Sequence, residues 1–319
     1  MRLLLTARAL ELVGDRLAEL DVEPVVLDAL PATRGASGTV EDIDVAWATG
    51  DLYMDRDLAR HFFGAVLSSD TLRWMQVTNA GVDHPVFAEL VRKGVLLTTS
   101  HVTGAPIAEY VLRAVLDHFQ RAGEWRASIA DRRWEPHELR EVAGSTWLIV
   151  GLGAIGAAVA RRAKAFDATV LGVRRTPRGD EPVDELVTLD AVDRADVVVL
   201  AAPATPATVG MVDDAFLGRM RSGSVLVNVG RGSLVDEAAL LRALDRGIPE
   251  VALLDVTATE PLPDDSPLWS HPSVVLTPHS SALGHGRHAR AADVFVDNLR
   301  SYLRGEPLTY LVSPEELSS

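Results

Sequence analysis

The chain has 319 residues, 47% of them hydrophobic, no cysteine and a formal net charge of −14; this gives enough apolar content for two cores, no route to a disulfide, a thiolate metal site or a cysteine nucleophile, and a charge balance opposed to non-specific nucleic-acid binding. No apolar run approaches the ~20 residues that span a bilayer, and Leu3-Leu4-Leu5 is interrupted by Arg8 and Glu11 too early for a signal peptide, so a cytoplasmic protein without a membrane partner is expected. All but Lys93 and Lys164 of the 31 basic residues are arginine, which disfavours Schiff-base chemistry, and no metal-ligating set is expected.

Short apolar runs at Arg2 to Thr6, Val22 to Leu27, Ile43 to Ala48, Trp74 to Val77 and Val95 to Thr99 alternate with helical stretches such as Glu11 to Leu20 and Asp55 to Leu67. That alternation predicts a small flavodoxin-like parallel sheet. A longer helical pattern covers Ala105 to Arg121. Next, the run Ser145 to Val150 breaks into Gly151-Leu152-Gly153-Ala154-Ile155-Gly156 and resumes with helical periodicity. In this strand, turn and helix, Gly151 permits the tight turn, Gly153 lets backbone N–H groups approach a pyrophosphate, and Gly156 lets the helix pack on the strand. Further strands are expected at Thr169 to Val173, Val197 to Ala201, Val225 to Val229, Val251 to Val256 and Val274 to Thr277, a second doubly wound sheet. A final helix, Arg287 to Leu303, is expected to cross back to the first domain. The fold class is therefore α/β, with two doubly wound parallel-sheet domains: residues 1–101, an inserted dinucleotide-binding Rossmann domain at 102–283, and a return segment at 284–319.

Three segments follow successive strands of the second series: Asn228-Val229-Gly230-Arg231-Gly232, Asp255-Val256-Thr257-Ala258-Thr259-Glu260-Pro261, and Thr277-Pro278-His279-Ser280-Ser281. With the glycine turn, Asn79-Ala80-Gly81-Val82-Asp83, Ala201-Ala202-Pro203 and Gly305-Glu306-Pro307-Leu308, the chain resembles the D-isomer-specific 2-hydroxyacid dehydrogenases, which include glyoxylate/hydroxypyruvate reductases. The resemblance implies reduction of a small 2-keto acid to the D-2-hydroxy acid. A guanidinium binds a carboxylate as a planar fork, and the resemblance gives that role to Arg231. Histidine titrates near working pH and suits the proton donor to the carbonyl oxygen, the role implied for His279. Glu260 matches the acid that hydrogen-bonds this histidine and fixes which ring nitrogen faces the substrate. Asp255 matches the acid near the nicotinamide carboxamide. Asn79, Ala80 and Gly81 match a segment whose Ala80 and Gly81 N–H groups meet the substrate carboxylate. The nucleotide is expected at Gly151, Gly153, Ala154, Ile155, Gly156, Ala202, Pro203, Val229, Gly230, Asp255 and His279.

An NAD-preferring site normally ends its second strand in Asp or Glu. Here the run is Val173-Arg174-Arg175-Thr176. Two guanidiniums and a hydroxyl suit a 2′-phosphate, so NADP is expected, with NAD possible. Most relatives are dimers, which makes a homodimer through the Ala105 to Arg121 helix the implied assembly. His101 reads as a solvent-facing histidine. Two other readings stay open: a nucleotide-sensing corepressor on the same fold, and a short-form phosphoglycerate dehydrogenase.

Overall fold

The computed structural model describes residues 1–27, 42–78, 81–82 and 84–313 and divides into two units, Met1–Val102 with His285–Ser319, and Thr103–Gly284. In the first, β1 (Arg2–Thr6), β2 (Glu23–Leu27), β3 (Val45–Ala48), β4 (Trp74–Val77) and β5 (Leu96–Thr98) form a sheet ordered β2-β1-β3-β4-β5. Every pairing is parallel, the flavodoxin-like order. The helices are α1 (Ala7–Leu17), α2 (Arg56–Ser68), α3 (Pro85–Arg92) and the returning α9 (Arg287–Leu303). Both sheet faces are covered, which is why β3 and β4 are buried at every position.

Helix α9 belongs to this unit through its apolar face. Phe295 stacks on Trp47 with ring centroids 4.4 Å apart and on Trp74 at 5.7 Å, all three rings fully buried. One turn on, Asn298 donates to Gln76 Oε1 at 2.8 Å and accepts the Thr309 N–H at 2.8 Å. A buried amide must be hydrogen-bonded to be tolerated, and these bonds fasten the segment after α9 to β4.

The second unit holds β6 (Thr146–Val150), β7 (Thr169–Val173), β8 (Glu185–Leu186), β9 (Val197–Leu200), β10 (Val225–Asn228), β11 (Val251–Leu254) and β12 (Val274–Leu276). Their order is β12-β11-β10-β9-β6-β7-β8, all parallel. The chain winds outward from β6 in one direction to β8 and in the other to β12, so the topological switch lies between β6 and β9. Helices α4 (Gly104–Phe119), α5 (Ala122–Ala130), α6 (Ala154–Ala165), α7 (Asp214–Gly218) and α8 (Glu237–Asp245) complete it. Several elements depart from the sequence expectations, α5 and β8 among them. The helix expected to run to Arg121 stops at Phe119, because Arg121 takes a left-handed conformation (φ +51°) from which α5 starts. Helix α3 is a further addition, and its signal, His84 capping with Pro85 at the first helical position, stands in the sequence. Among the described residues no helix is long and apolar enough to cross a membrane.

Candidate active site

In the second unit Val150, Leu200, Asn228, Leu254 and Leu276 are in register across β6, β9, β10, β11 and β12. The segments that follow therefore emerge along one carboxyl rim of the sheet, where open α/β sheets place their ligands. At its centre is the glycine turn. Gly151 has φ +94°, and a Cβ there would stand 2.7 Å from the Ala202 backbone. A Cβ on Gly156 would overlap the Gly151 carbonyl. Gly153 is different: it precedes α6, no side chain caps that helix, and an added Cβ would meet nothing within 4 Å. The chain's own packing does not require glycine there. A ligand approaching uncapped N–H groups at the helix N-terminus does, so these residues fit a dinucleotide pyrophosphate.

Beside the turn, Arg174 follows β7. Its Nε donates to Thr176 O and its Nη1 to Leu152 O, each at 2.7 Å, so its guanidinium ties the glycine turn to the end of β7. Arg175 is exposed and, among the described residues, makes no hydrogen bond or ion pair. Sequence reasoning missed Glu181, which lies 3.6 Å from Arg174 and accepts the N–H groups of Arg178 (2.6 Å) and Gly179 (2.9 Å). Chiefly the Arg178 N–H, with Gly179 and Arg174 assisting, holds its carboxyl below the ordinary glutamate value. Across the rim, Gly230 packs so closely on the β9 end that a Cβ would lie 2.8 Å from Ala202 O.

Towards β12 the loops interlock. Asn228, also missed, accepts the Gly230 N–H (3.1 Å) and donates to the Arg231 carbonyl (3.0 Å), shaping the backbone that presents Arg231. Arg231 Nη1 donates to Gly230 O at 2.8 Å. Gly232 leaves no room for a side chain against Thr257, so the Arg231 segment lies against the segment carrying Glu260. Glu260 Oε2 is 2.7 Å from His279 Nδ1, and its Oε1 accepts the Thr257 N–H at 3.1 Å. The carboxylate can only accept, so Nδ1 carries the proton and Nε2 is the nitrogen left for chemistry.

His279 itself has φ +50° and donates its N–H to Asp255 O at 2.8 Å. Asp255 is 2% exposed. Its Oδ1 accepts from Thr277 Oγ1 (2.7 Å), Ser280 N (3.0 Å) and Ser281 N (3.1 Å), and its Oδ2 from the Ser281 hydroxyl. Thr277 Oγ1 is also 2.9 Å from the Tyr110 phenol on α4. Since Asp255 accepts the one Thr277 proton, Tyr110 donates to Thr277. Burial raises the Tyr110 pKa above its usual value, keeping the phenol a donor. Asp255 thus fixes the loop bearing His279, a role the sequence did not disclose.

In the first unit Gly81 is described and half-buried, whereas Asn79 and Ala80 lie outside the described residues. His101 is exposed, with φ +48° and its ring 4.4 Å from that of Tyr310.

Residues 112–281 match the model of the D-isomer specific 2-hydroxyacid dehydrogenase NAD binding domain. A glyoxylate reductase of Korarchaeum cryptofilum is 35% identical over 251 residues, 74% of each chain. A solved structure of a D-isomer specific 2-hydroxyacid dehydrogenase family protein from Aeromonas salmonicida superposes with a TM-score of 0.81 at 30% identity, covering 98% of both chains. An NADPH-dependent glyoxylate/hydroxypyruvate reductase from Sinorhizobium meliloti, solved with NADP and sulfate, gives 0.78 at 26% identity over 99% of this chain and 98% of that one.

Proposed function

The chain belongs to the D-isomer-specific 2-hydroxyacid dehydrogenases, and on that premise we propose that it reduces a small 2-keto acid of the glyoxylate or hydroxypyruvate type to the D-2-hydroxy acid, with NADPH preferred over NADH. The observation that carries this reading is the 2.7 Å pair between His279 and Glu260 on the rim that also bears Arg231. In this reading the bound nicotinamide supplies hydride to the keto carbon. His279 delivers the proton to the carbonyl oxygen from Nε2, while Glu260 holds the ring and stabilises its charged form. Arg231 grips the substrate carboxylate and draws electron density from the adjacent carbonyl. Gly81, with Asn79 and Ala80, keeps the carboxylate-binding role implied by the resemblance. Asp255 acts by holding the His279 loop.

Residues 1–101 and 284–319 serve the substrate in this reading, and 102–283 serves the nucleotide. The NADPH preference rests on Arg174 and Arg175 where an NAD site carries an acid, and is in line with the NADP bound to the Sinorhizobium meliloti relative. A homodimer is part of the same proposal. Trp125 and Ile129 on α5, Phe166 after α6 and Trp134, which is 94% exposed, are large apolar groups for a second copy to cover; light scattering tests the mass. A cytoplasmic enzyme without a nucleic-acid partner completes the proposal, and the net charge of −14 supports the second part of it.

The functional test is oxidation of NADPH and of NADH with glyoxylate, hydroxypyruvate, pyruvate and an aromatic 2-keto acid. Turnover is expected with the first two. His279→Ala is expected to lower kcat by about 100-fold or more while nucleotide binding persists. Normal turnover in that variant refutes the proton path.

A further inference from the structure

The loop that follows β7 holds an anion in a cradle of its own making. Glu181 Oε1 accepts the Arg178 N–H at 2.6 Å, and its Oε2 accepts the Gly179 N–H at 2.9 Å. Two successive N–H groups turned onto one anion form a nest, and Gly179 takes the left-handed conformation this needs, with φ +88°. Arg174 closes the cradle, its Nε standing 3.6 Å from Glu181 Oε1. Its bonds to Leu152 O and Thr176 O fix that guanidinium against the glycine turn. The Glu181 side chain is 4% exposed, so the loop has closed around the carboxylate.

Nothing in this donor set is particular to a carboxylate. Two N–H groups and a guanidinium serve a phosphate as well. The exposed side chains of Arg175 and Arg178 on the same loop make no hydrogen bond or ion pair among the described residues, which leaves two more guanidiniums for a dianion. The place is also telling. A dinucleotide whose pyrophosphate lies at the glycine turn has its adenosine ribose at the end of the second strand, and here that strand is β7. An NAD site carries an acid at that point; this chain carries Arg174 there and returns an acid from the loop, as Glu181. The backbone bearing it is anchored, since Glu181 O accepts the Val183 N–H at 2.9 Å and Asp184 Oδ2 accepts the Val170 N–H of β7 at 2.8 Å. Rotation of the side chain alone therefore empties the cradle.

We propose that Glu181 is a specificity-determining residue of the nucleotide site: its carboxylate stands in for the 2′-phosphate, and a 2′-phosphorylated nucleotide binds by displacing it. The dinucleotide reading of the glycine turn is assumed here. NADPH then meets an internal competitor, whereas NADH leaves the carboxylate in place. Glu181 thus narrows the gap between the two cofactors that the arginines open.

The test is calorimetric titration of the full-length protein and its Glu181→Ala and Glu181→Gln variants with adenosine 2′,5′-bisphosphate and with AMP. Glu181→Ala is expected to lower the Kd for the bisphosphate about tenfold and to leave that for AMP nearly unchanged. Glu181→Gln is expected to act in the same direction but less, because its amide oxygen still accepts one loop N–H. The ratio of kcat/KM for NADPH to that for NADH is expected to rise alongside. Weaker bisphosphate binding in the variants means that the carboxylate only shapes the loop, and overturns the proposal; an equal change for both nucleotides does the same. If Glu181→Ala does not fold, as read by Tm, the isosteric Glu181→Gln decides. A wild type that binds AMP more tightly than the bisphosphate refutes the NADPH preference alone, because the proposal concerns the direction in which the ratio moves when Glu181 is replaced.

Discussion

His279 sits at φ +50°, a region that costs a non-glycine residue roughly 1–3 kcal/mol and persists only where the surroundings over-determine it. Here they do so through Asp255, which collects the Thr277 hydroxyl, two loop N–H groups and the Ser281 hydroxyl, and takes the His279 N–H on its own carbonyl. The sequence exposed the types of residue at work, since a histidine after Thr-Pro and a glutamate before Pro are legible within the family pattern. It did not expose their restraints. Tyr110 is 167 positions from Thr277, and nothing local to either links them. Tyr110→Phe removes the donor to Thr277 while leaving the ring. The expected result is a several-fold fall in kcat, a KM for nucleotide close to that of the parent, and a stability loss of about 1 kcal/mol, read by steady-state kinetics and chemical denaturation. An unchanged kcat means that α4 does not help to hold the histidine.

At the scale of elements, the turn between β6 and α6 separates two reasons for a glycine. Gly151 and Gly156 answer to the chain's own packing, and Gly153 has empty space beside it. Gly156→Ala is therefore expected to lower Tm, whereas Gly153→Ala is expected to leave Tm in place and raise the KM for the nucleotide. Thermal melts set beside kinetics decide this, and equal Tm losses refute the distinction. The neighbouring arginines divide in the same way. Arg174 is tied to Leu152 and Thr176, so Arg174→Ala loosens the turn as well as removing a guanidinium, and is expected to raise the KM for NADH and, more strongly, that for NADPH. Arg175 has no such tie, and Arg175→Ala is expected to raise the KM for NADPH about tenfold with little change for NADH. The sequence showed two arginines in place of an acid; only the structure distinguishes Arg174, fastened to the turn, from Arg175, exposed beside it. Strands were readable because β sheets covered on both faces produce unbroken apolar runs, as in Val197–Leu200. Two-residue β8, Glu185–Leu186, offers no such run, and the break after Phe119 depends on one left-handed residue that the helical periodicity runs straight through.

For the whole molecule, the mid-chain place of the glycine turn already implied a domain before it and a return after it, and the contact between Phe295, Trp47 and Trp74 gives that return its physical form. What stayed illegible is the buried polar seam of Gln76, Asn298 and Thr309, because a polar residue inside a strand run shows no sign of its partner more than two hundred positions away. A fragment of residues 1–102 is expected to lack a cooperative melt and to gain one when a peptide covering 285–313 is supplied, with tryptophan fluorescence as the reporter; a cooperative melt of the fragment alone refutes this. The Phe295 stack also sets an order of events during synthesis. The ribosome delivers Trp47 and Trp74 early, yet the ring that seals them arrives only after all of Thr103–Gly284 has emerged. The nucleotide-binding unit can close while the N-terminal sheet still waits with aromatic surface uncovered, so the part made first is completed last, and nascent chains stalled before residue 295 are the ones for which a chaperone is most needed.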